Sequence, residues 1–161
     1  MTDKVMVKMV LDAWNGQVNN TDKLLGVLTD EQLMREVAPG RNRGVYLLGH
    51  LAAVNDKMLP LLGFGVAKYP KMHEDFLTKP DKAVADIPSV SELRKCWTSS
   101  CEELSRNFKN ETTQSWFGKH TSVSVEDFAK EPHRNKLNVV LGRAGHLQSH
   151  LGQLVFLQSK A

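Results

Sequence analysis

Apolar positions recur at helical spacing in four long stretches of the chain, and nowhere does alternation persist long enough to predict a sheet. The first stretch runs from about Asp3 to Leu28, with Met6, Met9, Val10, Ala13, Val18, Leu24, Leu25 and Leu28 as its stripe. Thr29-Asp-Glu-Gln32 has the form of a capping box opening a short turn, and Pro39-Gly40 closes that segment. The second, Arg43 to Leu62, is apolar almost all round, which predicts a helix in the middle of the domain. Pro60 is expected to bend its last turn, and Gly63 and Gly65 to stop it. The third runs from Ser89 to Phe108, capped by Ser89 or Ser91, with the stripe Val90, Leu93, Trp97, Cys101, Leu104, Phe108. The fourth follows Pro132, from Arg134 to Gln158, with Val140, Ala144, Leu147, Leu151, Leu154 and Val155 facing the core.

Two connections are longer than a tight turn. Residues 66–88 are punctuated by Pro70, Pro80 and Pro88, and a connection of that length in a small domain is often functional or a crossover. Residues 110–132 are mixed, with Val123, Val125 and Phe128 as candidates to cover a bundle end. The expected architecture is an all-α four-helix bundle with a long crossover and short extra helices. At 161 residues the chain fits a single domain over 1–161, long enough to bury roughly 68–70% of its unfolded surface without staples.

Charge narrows the partners. The net charge is +3, but the lysines and arginines are scattered, with no block of five like charges. Nucleic acid is therefore not an expected partner. The most apolar stretch, Val45 to Leu62, is interrupted by His50, Asn55, Asp56 and Lys57, so no membrane span is expected. Met-Thr-Asp-Lys leads into an amphipathic pattern, so no secretory signal is expected either. Cys96 and Cys101 fall about 140° apart around a helix, too far round for a disulfide within it. Two structural thiols fit a reducing cytoplasm, the expected location.

The candidate chemistry lies in the histidines. His146 and His150 are four apart, so both imidazoles share one face of the fourth helix, at the margin of the core stripe. The residue after His146 is Leu147, so the general base of an HExxH metalloprotease is missing. His50 sits in the most apolar helix, where both ring nitrogens need partners. A backbone-bonded core histidine would satisfy that need. So would a metal site built from facing helices, bringing His50 to His146 and His150. Three neutral imidazoles with one open position is the ligand set of a catalytic zinc, and imidazole suits nickel, iron and copper as well. Gly49, Gly142, Gly145 and Gly152 cluster near these histidines, leaving either room for a ligand or a close packing face, including a dimer face along Gly142, Gly145, Ser149 and Gly152. His73, His120 and His133 lie in connections and read as solvated histidines, with His120 and His133 within reach of the rim.

These residues resemble a known family. Asp12-Ala-Trp14-Asn15, Val45-Tyr-Leu-Leu-Gly-His50-Leu-Ala-Ala-Val-Asn55-Asp56 and Gly145-His146-Leu-Gln-Ser-His150-Leu-Gly-Gln153 are similar, in order and spacing, to the motifs of the DinB/YfiT-like superfamily. The resemblance implies a four-helix bundle, often a homodimer. It also implies a divalent metal ion (zinc, nickel or iron) held by His50, His146 and His150. Some related members are transferases or isomerases that use a low-molecular-weight thiol such as bacillithiol or mycothiol. The expected activity is therefore metal-dependent chemistry on a small electrophile, possible pocket-lining residues being Trp14, Arg43, Tyr46, Arg143 and Gln153. The alternative is a non-enzymatic metal-binding or stress-related module whose fourth position is closed by His120, His133 or a carboxylate. A metal-free helical scaffold is a third reading.

Overall fold

The computed structural model of the protein describes residues 2–158, and it is helical throughout. The elements are α1 (Thr2–Val27), α2 (Asp30–Leu33), α3 (Gly44–Leu62), α4 (Pro70–His73), α5 (Val90–Asn110), α6 (Thr113–Trp116), α7 (Val125–Lys130) and α8 (Lys136–Leu154). A π-helical turn, Glu74–Thr78, continues α4, and a 3₁₀ turn, Val155–Leu157, continues α8. No β-strand forms among the described residues; there are two isolated bridges, Glu36 with Arg43 and Lys119 with Asn135. Helix α1 packs along α8, α3 packs along α5, and α3 also meets α8. That places α3 at the centre, as its nearly uniform apolar pattern requires.

Burial follows from these pairings. Leu47, Leu48, Leu51, Ala52, Ala53, Met58, Leu59 and Leu62 of α3 are all inaccessible, each large aliphatic contributing about 1.5–3 kcal/mol of transfer free energy. On α1 the inward stripe is Val7, Leu11, Trp14, Val18, Thr21, Leu25 and Leu28, alternating steps of three and four. This corrects the stripe expected from sequence: Met6 and Met9 are 46% and 67% exposed. The pattern was obscured by Thr21, a polar residue buried because its hydroxyl donates to the Gln17 carbonyl one turn back, at 2.9 Å.

Helix ends use the expected chemistry. Thr29 and Ser89 each form a capping box, with Gln32 and Glu92. Arg94 of α5 reaches the last turn of α1, donating to the Leu25 and Leu28 carbonyls, which no basic residue of α1 covers. Helix α3 continues through Pro60 and ends at Gly63, whose φ of 78° lets Phe64 N–H return to the Leu59 carbonyl at 2.8 Å. Thr121 then satisfies the freed Pro60 and Leu61 carbonyls. Val123 covers this end as expected, and Phe128 is half-buried. Val125, at the first position of α7, instead points outward at 66% exposure.

The long connection after α3 is a strap laid back along that helix. Asp56, wholly buried, accepts from Lys68 N–H (2.8 Å), Tyr69 N–H (2.9 Å) and His73 Nε2 (2.8 Å). His73 is therefore not the solvated histidine expected from its place in a connection. A buried carboxylate needs donors, and this ring supplies one. Further on, Phe76 packs on Gly49, Tyr46 Oη donates to the Lys79 carbonyl (2.7 Å), and Arg43 forks onto Asp81 through Nε (3.1 Å) and Nη2 (2.7 Å). The strap thus runs antiparallel to α3, bonded at Asp56, Tyr46 and Arg43 in turn.

Candidate metal centre

The meeting of α3 and α8 brings His50, His146 and His150 together. His50 Nε2 and His146 Nε2 are 3.1 Å apart, as are His150 Nε2 and His146 Nε2. One nitrogen from each ring lies within 4.8 Å of the other two, and all three rings are half-buried. No fourth histidine, cysteine or carboxylate joins the group among the described residues. His120 Nδ1 instead accepts from Ser122 N–H, and exposed His133 lines a separate 210 Å³ cavity beside Met6 and Phe117. Neither closes the site.

The outer nitrogens fix the tautomers. His50 Nδ1 lies 2.9 Å from the Phe76 carbonyl, which can only accept, so Nδ1 carries the proton. In the neutral ring, Nε2 is then a bare lone pair. His150 Nδ1 faces Gln153 Oε1 at 3.3 Å, with the same consequence for its Nε2. Two lone pairs therefore converge on the third nitrogen, an arrangement suited to a cation. Tetrahedral coordination with N–metal bonds of about 2.0–2.1 Å places ligand nitrogens about 3.3 Å apart, close to the 3.1 Å found. The donor set fits a divalent ion.

Electrostatics favours the uncharged rings. Burial, then the His150, His50 and Arg143 charges, pushes the His146 imidazole down to about 4. Burial and His50 also lower His150, against a smaller opposing effect of Gln153. Both are neutral near pH 7, the form that ligates. The chain's own thiols are poor nucleophiles: burial raises Cys96 and Cys101, both unpaired in the structure.

The five expected pocket residues have different placements. Tyr46 stacks on His50, ring centroids 6.4 Å apart, with its hydroxyl bound to the strap. Gln153 contacts His150 and also lines a cavity of about 400 Å³ with Val37, Arg41, Asn42 and Phe156. Arg143 is half-buried on the same face of α8, and its charge is felt at His146. Arg43 is engaged with Asp81. Trp14 lies edge-on to Phe108 and lines a different groove, between α1 and α5, with Asp22 and Cys101. Among the glycines, Gly49 is a close-packing position. A Cβ on Gly142, Gly145 or Gly152 would meet open space. Sequence reasoning did not find the Phe76 carbonyl. A backbone acceptor has no side-chain signature, and the available signal was the glycine beside His50.

No protein-family model matches this chain, and no curated protein matches it. The geometry of the three histidines therefore carries the functional reading.

Proposed function

We propose that this protein is a metal-dependent enzyme of the DinB/YfiT-like kind, a four-helix bundle of α1, α3, α5 and α8 that acts on a small electrophile with a low-molecular-weight thiol as co-substrate. The observation that carries this reading is the convergence of three imidazole nitrogens with no fourth protein ligand among the described residues. A structural site closes its shell with protein donors, whereas a catalytic one keeps a position open. A bound zinc, nickel or iron ion would supply Lewis acidity, lowering the pKa of a thiol or water that enters the open side. His50 and His150 present lone pairs because Phe76 and Gln153 hold their opposite nitrogens protonated. The apolar interior of α3 behind His50 excludes water from that side of the rings. An external thiol is favoured over an internal one because burial raises both cysteines. A transferase or isomerase reaction is consistent with such a thiol.

The same reading includes a homodimer. Leu141, Gly142, Gly145, Ser149 and Gly152 form an exposed face of α8, and Phe156 beyond it is 77% exposed. Small residues there let a second helix approach closely.

Cobalt substitution tests the open position. Azide or 2-mercaptoethanol should shift the visible bands of the cobalt-loaded protein. Bands that ignore both ligands would assign the site to a closed structural metal instead.

A further inference from the structure

Arg143 stands three residues before His146 and seven before His150. At about 100° per residue it projects within roughly 20° of the His150 direction and 60° of the His146 direction. The guanidinium therefore shares the face of α8 that carries the metal ligands. It is half-buried, yet makes no hydrogen bond or ion pair with any other described residue.

Three cations at the start of α3 and along the strap, Arg43, Lys79 and Lys82, are neutralised. Arg43 is forked onto Asp81, Lys79 pairs with Glu74 and Asp75, and Lys82 pairs with Glu36. The histidine cluster contains no carboxylate. A dication among neutral imidazoles carries two positive charges, and Arg143 adds a third with no acid to balance them. A partly desolvated charge of that size is costly unless an anion joins it. Burial alone lowers Arg143, and no neighbouring acid raises it.

We infer that the small molecule taken by this site carries a carboxylate or similar oxyanion, and that Arg143 is the residue that binds it. A guanidinium offers two parallel N–H donors to such a group, which fixes orientation as well as charge. The site thus selects an anionic thiol or anionic electrophile over a neutral one of the same shape. This inference rests on the metal reading above.

The test compares 3-mercaptopropionate with 3-mercapto-1-propanol, titrated into cobalt-loaded protein and followed by the visible bands. The two thiols have the same reach and differ in charge. The carboxylate thiol should bind at least about tenfold tighter, the usual scale of a charge-assisted hydrogen bond. Arg143→Gln should abolish that preference, the two thiols then binding with equal affinity, and Arg143→Lys should keep part of it. Equal affinities in the unmodified protein, or a preference that survives in Arg143→Gln, would overturn the inference and leave the open metal site standing. Bands unmoved by azide and by both thiols would overturn the open site and this inference together.

Discussion

At the scale of single residues, protons titrate the same lone pairs that would hold a metal. His146 has an ordinary value of 6.5, and in the folded protein it falls to about 4. The unfolded chain therefore takes up a proton in a window where the folded chain does not. The contribution to stability is complete above about pH 6.5 and is lost as pH falls toward about 4. His150 is lowered too and acts in the same direction. Denaturant titrations of metal-free protein at stepped pH should show this decline, and His146→Asn should flatten it. An unchanged slope in that variant would assign the acid sensitivity elsewhere.

At the scale of elements, the strap decides how well α3 can present His50. Gly49 admits the Phe76 ring so closely that a Cβ would come within 2.6 Å of Cδ1 and Cζ. The Phe76 carbonyl is the acceptor that holds His50 Nδ1. Gly49→Ala should therefore cost about 1–3 kcal/mol through overpacking. It should also weaken zinc binding about 10–100-fold, the scale of losing an outer partner. Competition against a chromophoric chelator reads the second effect, and shortening the ring with Gly49→Ala/Phe76→Leu should recover part of it. At the strap's far end, Asp81→Ala leaves Arg43, only 18% exposed, without its partner. The expected loss is about 2–3 kcal/mol in chemical denaturation, below the full value for a buried pair because the guanidinium keeps some solvent. A loss under 0.5 kcal/mol would mean that the Arg43–Asp81 fork adds little to holding the strap.

What could be read from the sequence also divides by element. The four long helices were legible because their stripes repeat over several turns and their ends carry capping boxes and a stop glycine. The triad was legible because His146 and His150 are local and His50 is conspicuous among aliphatic neighbours. The α1 stripe was legible from Val18 to Leu28 but displaced in its first turns, where Val7 and Trp14 face inward in place of Met6, Met9 and Ala13, and Thr21 breaks the apolar run while satisfying its hydroxyl within the helix. The strap was illegible because its bonds to Asp56, Tyr46 and His50 are largely made by backbone groups, which any residue type supplies.

At the scale of the whole molecule, the core lies between the paired helices, and the glycine face of α8 lies outside it. No helix among the described residues is long and apolar enough to cross a membrane. An exposed apolar and small-residue face on such a molecule suits a partner of the same shape. Gly145→Arg places a long cation where open space now lies. In sedimentation velocity the unmodified protein should run as a dimer and Gly145→Arg as a monomer. Identical sedimentation of the two would remove the dimer.

The metal claim itself is tested most directly by elemental analysis of the purified protein after incubation with zinc and desalting. About one ion per chain is expected, falling close to zero in His50→Ala, His146→Ala and His150→Ala while helical circular dichroism persists. Folded variants that retain the full stoichiometry, or an unmodified protein that retains none, would contradict it.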